Sequence, residues 1–160
     1  MLLYRIAPES YLENYQGLGA SYKDGARWNK AGEPVLYFAL SSATALLEMA
    51  NYIPSPYLVP KSYRLGVYQL PDDIKYDTLS DKKLPDDWAK FPYPLSTQTL
   101  GSQWLAKNKA LLMIVPSCAV PGGLEKIALM NPNHPSSKKI KLIKALPDLY
   151  NKRTFSGINK

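Results

Sequence analysis

The sequence predicts an α+β fold, and three observations lead to this. Two continuous apolar runs rich in β-forming residues, Pro34–Leu40 and Ala110–Ser117, are typical of buried strands. Apolar residues at helical spacing follow the first run in Ala43–Tyr52. The chain has 160 residues and is 46% hydrophobic, which is enough for one core. Strands with scattered helices favour the α+β class, and we expect one domain over residues 1–160.

The N-terminal third begins with a predicted strand at Leu2–Ile6. Pro8–Lys30 is rich in glycine and tyrosine and is predicted to be mostly turns. The strand Pro34–Leu40 ends at Ser41-Ser42, where serine is a favoured helix N-cap, so a helix should cover Ala43–Tyr52. Pro54 and Pro56 should end this helix.

The central segment contains a predicted half-buried strand at Lys61–Pro71. Its alternation places Tyr63, Leu65 and Val67 on one face and Arg64, Gly66 and Tyr68 on the other. Asp72–Pro94 is acidic and rich in proline, which indicates a surface excursion with a short helical piece near Asp86–Lys90.

The remaining elements are a helix, two strands and two turns. Leu100, Trp104 and Leu105 have helical spacing within Ser96–Lys109, and the buried strand Ala110–Ser117 follows. Turns are predicted at Gly122-Gly123 and Asn131–Pro135, and a last strand at Lys138–Leu146 with its lysines facing water.

The net charge of +7, with lysines concentrated near the C-terminus, leaves two interpretations open. One is an anionic partner, and the other is a solvated basic face. Because zinc-finger spacing, an Arg-rich arm and an obvious helix-turn-helix are missing, we expect no direct nucleic-acid binding. The single cysteine cannot form an internal disulfide, and neither a signal peptide nor an 18-residue apolar run is evident. We therefore expect a cytoplasmic protein without a membrane anchor.

Glu48 is the single charged residue between Pro34 and Pro60. On a helix its same-face neighbours are Thr44, Ala45 and Tyr52. An isolated buried carboxylate costs several kcal/mol unless it is paired, so Glu48 either marks the solvent side of the helix or has a use in a dry site.

Three further residues are candidates for a site. Arg27 can grip an anion with its planar fork, or it can be a surface arginine stacked on Trp28. Tyr37 lies in the strand that precedes the Glu48 helix and is either a ligand contact or a core tyrosine. Ser117 ends a strand and is either a ligand contact or an ordinary turn residue.

Thiol and metal chemistry are not favoured. Cys118 and His134 are the single cysteine and single histidine, and His134 lies in an Asn-Pro turn. A lone cysteine and a lone histidine do not make an ordinary zinc site, and we expect no metal. Glycine-rich phosphate loops are also missing.

Taken together, five blocks resemble the RES-domain family of bacterial toxins from toxin–antitoxin pairs. The blocks are YRI at Tyr4–Ile6, GARWNKAGEPVLYFA at Gly25–Ala39, ALLEM at Ala45–Met49, VPS at Val115–Ser117 and NPNHP at Asn131–Pro135. Their order and spacing match over nearly the whole chain. The family is named after an arginine, a glutamate and a serine, which match Arg27, Glu48 and Ser117.

The resemblance implies a fold similar to the diphtheria-toxin type of ADP-ribosyltransferase, with a split, curved β core, flanking helices and a cleft for NAD+. It implies that Arg27, Glu48 and Ser117 are catalytic and that Arg5 and Tyr37 join them around NAD+, which is the substrate. It also implies a cognate Xre-like DNA-binding antitoxin. The expected reaction is cleavage of the nicotinamide–ribose bond, with water or phosphate as acceptor. The carboxylate would stabilise the cation-like ribose.

One departure from the family pattern concerns a polar residue, commonly asparagine, shortly before the Asn-Pro turn. This chain has Lys126-Ile127-Ala128 there. Two alternatives remain open, a protein ADP-ribosyltransferase and a non-catalytic nucleotide-binding or interaction module.

Overall fold

A computed structural model describes residues 1–53, 55–151 and 153–154. Seven strands form one mixed sheet in the order β4-β5-β6-β2-β1-β3-β7. Their bounds are β1 Leu2–Pro8, β2 Leu36–Ala39, β3 Tyr63–Gln69, β4 Tyr76–Thr78, β5 Leu112–Pro116, β6 Lys126–Met130 and β7 Lys141–Leu146. The α-helices are α1 Ala20–Asp24, α2 Ser42–Ala50 and α3 Leu95–Lys107. The predicted α+β class is confirmed.

The sheet is split between β1 and β2. These neighbours pair at one position, Tyr4 with Ala39. In contrast, β1 pairs with β3 along its whole length from Leu2 to Pro8. The register of β3 on β7 shifts between Val67 and Tyr68, and such a bulge bends the strands locally. The split β core that the family resemblance implied is therefore present.

Core side chains cover both faces of the sheet, which explains the continuous apolar runs. In β5, Leu112 and Ile114 belong to one core cluster, and Met113 and Val115 belong to the other. Because successive side chains of a strand point to opposite faces, a strand covered on both sides carries no polar alternation. The same division holds in β6.

The strand at Lys61–Pro71 differs from its prediction. The structure gives Tyr63–Gln69, and Tyr68 is completely buried rather than on a solvent-facing side. Its hydroxyl donates to the carbonyl oxygen of Leu12 at 2.9 Å, and its ring packs edge-on against Phe38. The segment around residue 12 covers this face, and local alternation does not report that cover.

The helix after β2 begins one residue earlier than predicted. Ser41 is its N-cap, and the Ser41 hydroxyl accepts from the backbone N–H of Thr44 at 3.0 Å. The helix ends at Ala50 rather than Tyr52. Pro54, predicted to stop it, lies outside the described residues.

Three other predictions need correction. The acidic Asp72–Pro94 segment contributes β4, which pairs with β5 in parallel. Its Asp86–Lys90 part forms turns rather than a helical piece, and Asp81–Lys83 is a 3-10 helix. The last strand is shorter than predicted, because the preceding lysines lie in the 3-10 helix Pro135–Lys139. Helix α1 was not predicted within the turn-rich segment.

Candidate active site

A cleft of about 350 Å³ opens where β1 and β2 separate. Its walls come from β1, β2, the inner face of α2, and the loop and short helix α1 that follow β1. Arg5, Tyr37 and Glu48 line it together, although they are far apart in sequence. The cleft is therefore built by the split in the sheet.

Glu48 is partly buried on α2, with its carboxylate held by two donors. The Ser117 hydroxyl donates to Glu48 Oε1 at 2.6 Å, and Asn51 Nδ2 donates to Oε2 at 3.3 Å. Ser117 is fully buried and directly follows β5. The serine does not line the cleft, and its link to the site is this hydrogen bond to Glu48.

Tyr37 of β2 lines the cleft, and its hydroxyl is hydrogen-bonded to the Arg27 segment. That hydroxyl donates to Asn29 Oδ1 at 2.7 Å and accepts from the backbone N–H of Trp28 at 3.3 Å. Burial raises the pKa of Tyr37 far above that of a free tyrosine, so the phenol stays neutral at physiological pH. The ring is fixed in place by these contacts.

Arg5 contributes a positive charge to the cleft from β1. Burial lowers the pKa of its guanidinium, while the neighbouring Tyr68 and Tyr15 act in the opposite direction. One nitrogen donates to the carbonyl oxygen of Asn14 at 3.4 Å. Among the described residues, no carboxylate lies within ion-pair distance of Arg5. An anion in the cleft would provide that missing partner.

Arg27 lies beside the cleft and is not part of its lining. Its Nη1 donates to the carbonyl oxygens of Trp88 and Lys90, and its guanidinium lies 5.2 Å from the centre of the Tyr93 ring. The ring that the guanidinium faces is Tyr93 and not the completely buried Trp28, so the interpretation of a surface arginine stacked on Trp28 is wrong. Arg27 instead holds the segment 88–93, which we call the strap.

Sequence reasoning missed three residues around the site. Asn29 is fully buried, and its amide nitrogen donates to the carbonyl oxygens of Ser21 and Lys30 at 2.7 and 2.9 Å. The signal for it was a polar residue inside the Arg-Trp block. Tyr52 lines the cleft, and partial desolvation together with the neighbouring Tyr93 of the strap raises the pKa of its phenol. No local pattern predicts this pair, because it joins the turn after α2 to the poorly patterned acidic segment.

The remaining candidates fall outside the cleft lining. His134 Nδ1 accepts from the backbone N–H of Ser136 at 3.1 Å and caps a 3-10 helix. Cys118 is exposed as a residue, but its thiol is partly desolvated, which raises the pKa of the thiol. Within the described ranges, no group of three or more His, Cys, Asp or Glu side chains could hold a metal ion. None of the helices in these same residues has the length and apolar character needed to span a bilayer.

The departure from the family pattern before the Asn-Pro turn lies on the cleft wall. Ile127 of β6 lines the cleft, and Ala128 is completely buried on the other side of the sheet. This part of the wall is therefore apolar.

Comparisons with known proteins agree with this architecture. The model of the RES domain family matches residues 2–150. "Toxin Res" of Pseudomonas putida is 35% identical over 146 residues, covering 89% of this chain and 92% of the relative. "Toxin Res" of Yersinia enterocolitica is 33% identical over 137 residues, covering 85% and 87%. A protein of a Sphingobium species named "Prs ADP-ribosylating toxin" is 33% identical over 155 residues, covering 94% of both.

A solved structure shares the fold. It is the crystal structure of the M. tuberculosis MbcT-MbcA toxin–antitoxin complex, which superposes with a TM-score of 0.67 over 91% of this chain and 82% of the other at 17% identity. With a family model matching 149 of the 160 residues and relatives similar over most of their length, the chain belongs to the RES domain family.

Proposed function

We propose that this protein is the toxin of a toxin–antitoxin pair and that it consumes NAD+ by cleaving the nicotinamide–ribose bond. The observation that carries the proposal is a carboxylate, Glu48, oriented by Ser117 in a cleft that also contains the unneutralised cation Arg5. NAD+ offers a group for each, a ribose that becomes cationic and an anionic pyrophosphate.

Cleavage of the nicotinamide–ribose bond requires little more than the Glu48 carboxylate. Breaking the glycosidic bond produces an oxocarbenium-like ribose, and a carboxylate in a water-poor cleft stabilises the developing positive charge. Nicotinamide leaves as a neutral molecule, so no strong general acid is needed. The Ser117 hydroxyl donates to Oε1. The other oxygen, Oε2, has a long contact of 3.3 Å with Asn51 Nδ2 and keeps acceptor capacity for the ribose or an attacking water.

Binding is assigned to the two arginines and Tyr37. Arg5 would contact the pyrophosphate directly, because it lines the cleft without a carboxylate partner. Tyr37, with its hydroxyl tied to Asn29, would offer its ring to the nicotinamide. Arg27 would act on bound NAD+ from beside the cleft, through its charge and its hold on the strap.

The relatives support an antitoxin as the partner of this protein. The curated relatives are named as toxins, and the solved neighbour is a toxin in complex with its antitoxin. We therefore expect a cognate antitoxin. Its Xre-like DNA-binding type is what the family resemblance implies, and action in the cytoplasm fits a substrate, NAD+, that is found there.

The second candidate is transfer of ADP-ribose to a protein, and the name of the Sphingobium relative favours it. Both reactions use the same bond cleavage and differ in the acceptor. A non-catalytic nucleotide-binding module would explain the cleft and Arg5, but it would not explain a carboxylate held at 2.6 Å by a buried serine.

The deciding experiment incubates the purified protein with NAD+ and measures nicotinamide release by chromatography. We expect release from the wild type and none above background from Glu48→Gln, which keeps the shape and removes the charge. Asp77→Asn is the matched control, since Asp77 is exposed on β4 at the far edge of the sheet. A Glu48→Gln variant that releases nicotinamide at the wild-type rate would make Glu48 structural. No release from the wild type, together with unchanged NAD+ in expressing cells, would remove the proposal.

A further inference from the structure

Glu125 lies outside the cleft and was not identified by any sequence motif, but it contacts both parts that hold Glu48. It precedes β6 and is partly buried. Its carboxylate Oε2 accepts from the hydroxyl of Thr44 at 2.7 Å, and its backbone carbonyl oxygen accepts from the N–H of Ser117 at 2.9 Å. One residue thus contacts α2 with its side chain and the serine with its main chain.

These contacts close a ring of interactions around the carboxylate. Thr44 lies one helical turn before Glu48 on the same face of α2 and is completely buried. Ser117, at the other end of the ring, donates to Glu48 Oε1 at 2.6 Å. Glu125 therefore links α2 to Ser117 through two hydrogen bonds, one to Thr44 and one to the Ser117 N–H. The resulting distance between α2 and Ser117 determines the direction of the Glu48 carboxylate.

The Thr44 hydroxyl is fully committed within this ring. It donates to Glu125 and lies 2.8 Å from the Ser41 hydroxyl, which in turn accepts from the Thr44 N–H as the helix N-cap. A carboxylate at a helix N-terminus is also favoured by the helix dipole. Loss of the Glu125 side chain would leave a buried hydroxyl without its acceptor and free the first turn of α2 to shift.

We propose that Glu125 is a positioning residue that fixes the orientation of Glu48 through Thr44 and Ser117. This inference rests on the proposed function, because its effect is measured on NAD+ cleavage. A misplacement of Glu48 of the order of 1 Å would lower the rate of the chemical step and leave NAD+ binding at Arg5 and Tyr37 largely intact. The expected signature is a change in kcat without a matching change in KM.

The test compares Glu125→Ala, Glu125→Gln and Thr44→Val with the wild type in steady-state NAD+ cleavage. We expect Glu125→Ala and Thr44→Val to lower kcat by about tenfold or more, with KM within about threefold of wild type. Glu125→Gln keeps an acceptor oxygen for the Thr44 hydroxyl and should restore most of the rate. The double variant Thr44→Val/Glu125→Ala should be no slower than the slower single variant, because the two substitutions remove the same hydrogen bond, the one between Thr44 and Glu125. Asp77→Ala serves as the control for loss of an exposed carboxylate.

The outcomes separate this inference from the proposed function. An inactive wild type would remove both. An active wild type with Glu125→Ala at the wild-type rate would overturn the positioning role alone. If Glu125→Gln were as slow as Glu125→Ala, the charge of Glu125 rather than its hydrogen bond would matter, and the positioning role would again be wrong. Thr44→Val and Glu125→Gln keep the test decisive if Glu125→Ala does not fold, because Val and Gln preserve the side-chain volumes.

Discussion

Two arginines near the cleft differ in what their guanidinium groups already bind. Arg27 Nη1 is occupied by two strap carbonyls, and the guanidinium faces Tyr93. Arg5 has a long contact of 3.4 Å to the Asn14 carbonyl oxygen and, within the described part of the chain, no carboxylate partner. Within the described residues neither guanidinium has a carboxylate partner, but Arg5 lines the cleft and Arg27 does not, so the Arg5 side is favoured for the pyrophosphate.

Replacement of Arg5 should therefore weaken NAD+ binding more than replacement of Arg27. Loss of a hydrogen bond to a charged group is worth about 1.5–3 kcal/mol, which is roughly tenfold or more in affinity. Calorimetric titration of NAD+ into Arg5→Ala and Arg27→Ala, both made in the Glu48→Gln background, measures the two losses. Arg5→Lys should lie between alanine and wild type, because it keeps the charge without the fork. A larger loss for Arg27→Ala would make Arg27 the main phosphate ligand.

Ser117 should affect the rate through the carboxylate and not through contact with NAD+. Ser117→Ala removes the 2.6 Å hydrogen bond to Glu48 and leaves the cleft lining unchanged. We expect kcat to fall about tenfold or more, with little change in KM, because a hydrogen bond to a charged group is lost. Steady-state kinetics on Ser117→Ala and Ser117→Thr provide the measurement. A raised KM with an unchanged kcat would instead place Ser117 against the substrate.

Cys118 should behave as a poorly reactive thiol. Partial burial raises its pKa, and an elevated pKa lowers the thiolate fraction at any pH below it. Alkylation by iodoacetamide near pH 8 should therefore be slower in the native protein than in the denatured chain, and the native rate should rise as the pH increases. Faster alkylation of the native protein would indicate an activated thiol and would reopen thiol chemistry.

Among the helices and strands, the sequence predicted best those whose formation depends on a local signal, such as an apolar run or a capping residue. The buried strands β2 and β5 and the serine N-cap of α2 follow from apolar runs and capping chemistry. The strand β4 was missed because Tyr76–Thr78 is exposed and short, and its pairing with β5 is a long-range event. The segment around Leu12 that covers Tyr68 is also distant from it in sequence.

The candidate site was predictable in part for the same reason. Glu48 stood out as a lone carboxylate in an apolar helix, and Arg27, Tyr37 and Ser117 were candidates that each had a structural alternative. The resemblance to a family supported these residues and added Arg5. Glu125 was not identified because its partners Thr44 and Ser117 meet it only in the folded sheet. The hold of Arg27 on the strap depends on a segment without a recognisable pattern.

The packing of α3 on the Arg27 segment gives a prediction for stability. A Cβ added at Gly101 would lie 1.7 Å from the carbonyl oxygen of Trp28, which is a severe clash. Alanine in an exposed helix gains about 1 kcal/mol over glycine, but here the clash should dominate. Thermal unfolding should show a lower Tm for Gly101→Ala, whereas Gly19→Ala, where nothing lies within 4 Å of the added Cβ, should be close to wild type. An unchanged or raised Tm for Gly101→Ala would mean that α3 can move away from Trp28.

At the scale of the whole molecule, the split sheet determines where a ligand can bind. A continuous sheet would pair β1 with β2 along their length and leave no opening, whereas their single paired position leaves space between Arg5 on one side and Tyr37 on the other. Helix α2, which follows β2, carries Glu48 to the cleft, and Ser117 at the end of β5, in the same half of the sheet as β2, donates to Glu48. The charge proposed for binding, on Arg5, and the charge proposed for chemistry, on Glu48, thus come from different elements that the fold brings together.

The distribution of charge over the whole molecule also predicts that the proposed NAD+ consumption needs no metal. The carboxylates of the acidic segment, which would be the first candidates for a cation, are already engaged or dispersed. Asp72 accepts from the N-terminal amine at 2.7 Å, Asp73 lies 3.8 Å from Lys139, and Asp87 accepts from the Ser96 hydroxyl at 2.6 Å.

The reaction itself does not call for a Lewis acid, since nicotinamide leaves from a ring that is already cationic. Activity should therefore survive excess EDTA without loss, measured as nicotinamide release before and after dialysis against the chelator. Asp87→Asn, which keeps an acceptor for Ser96, should also leave the rate unchanged. A large loss in EDTA that Mg²⁺ or Zn²⁺ restores would contradict this prediction. Asp72, Asp73 and Asp87 would then be the first residues to replace, because a metal site would have to form by rearrangement of their present contacts.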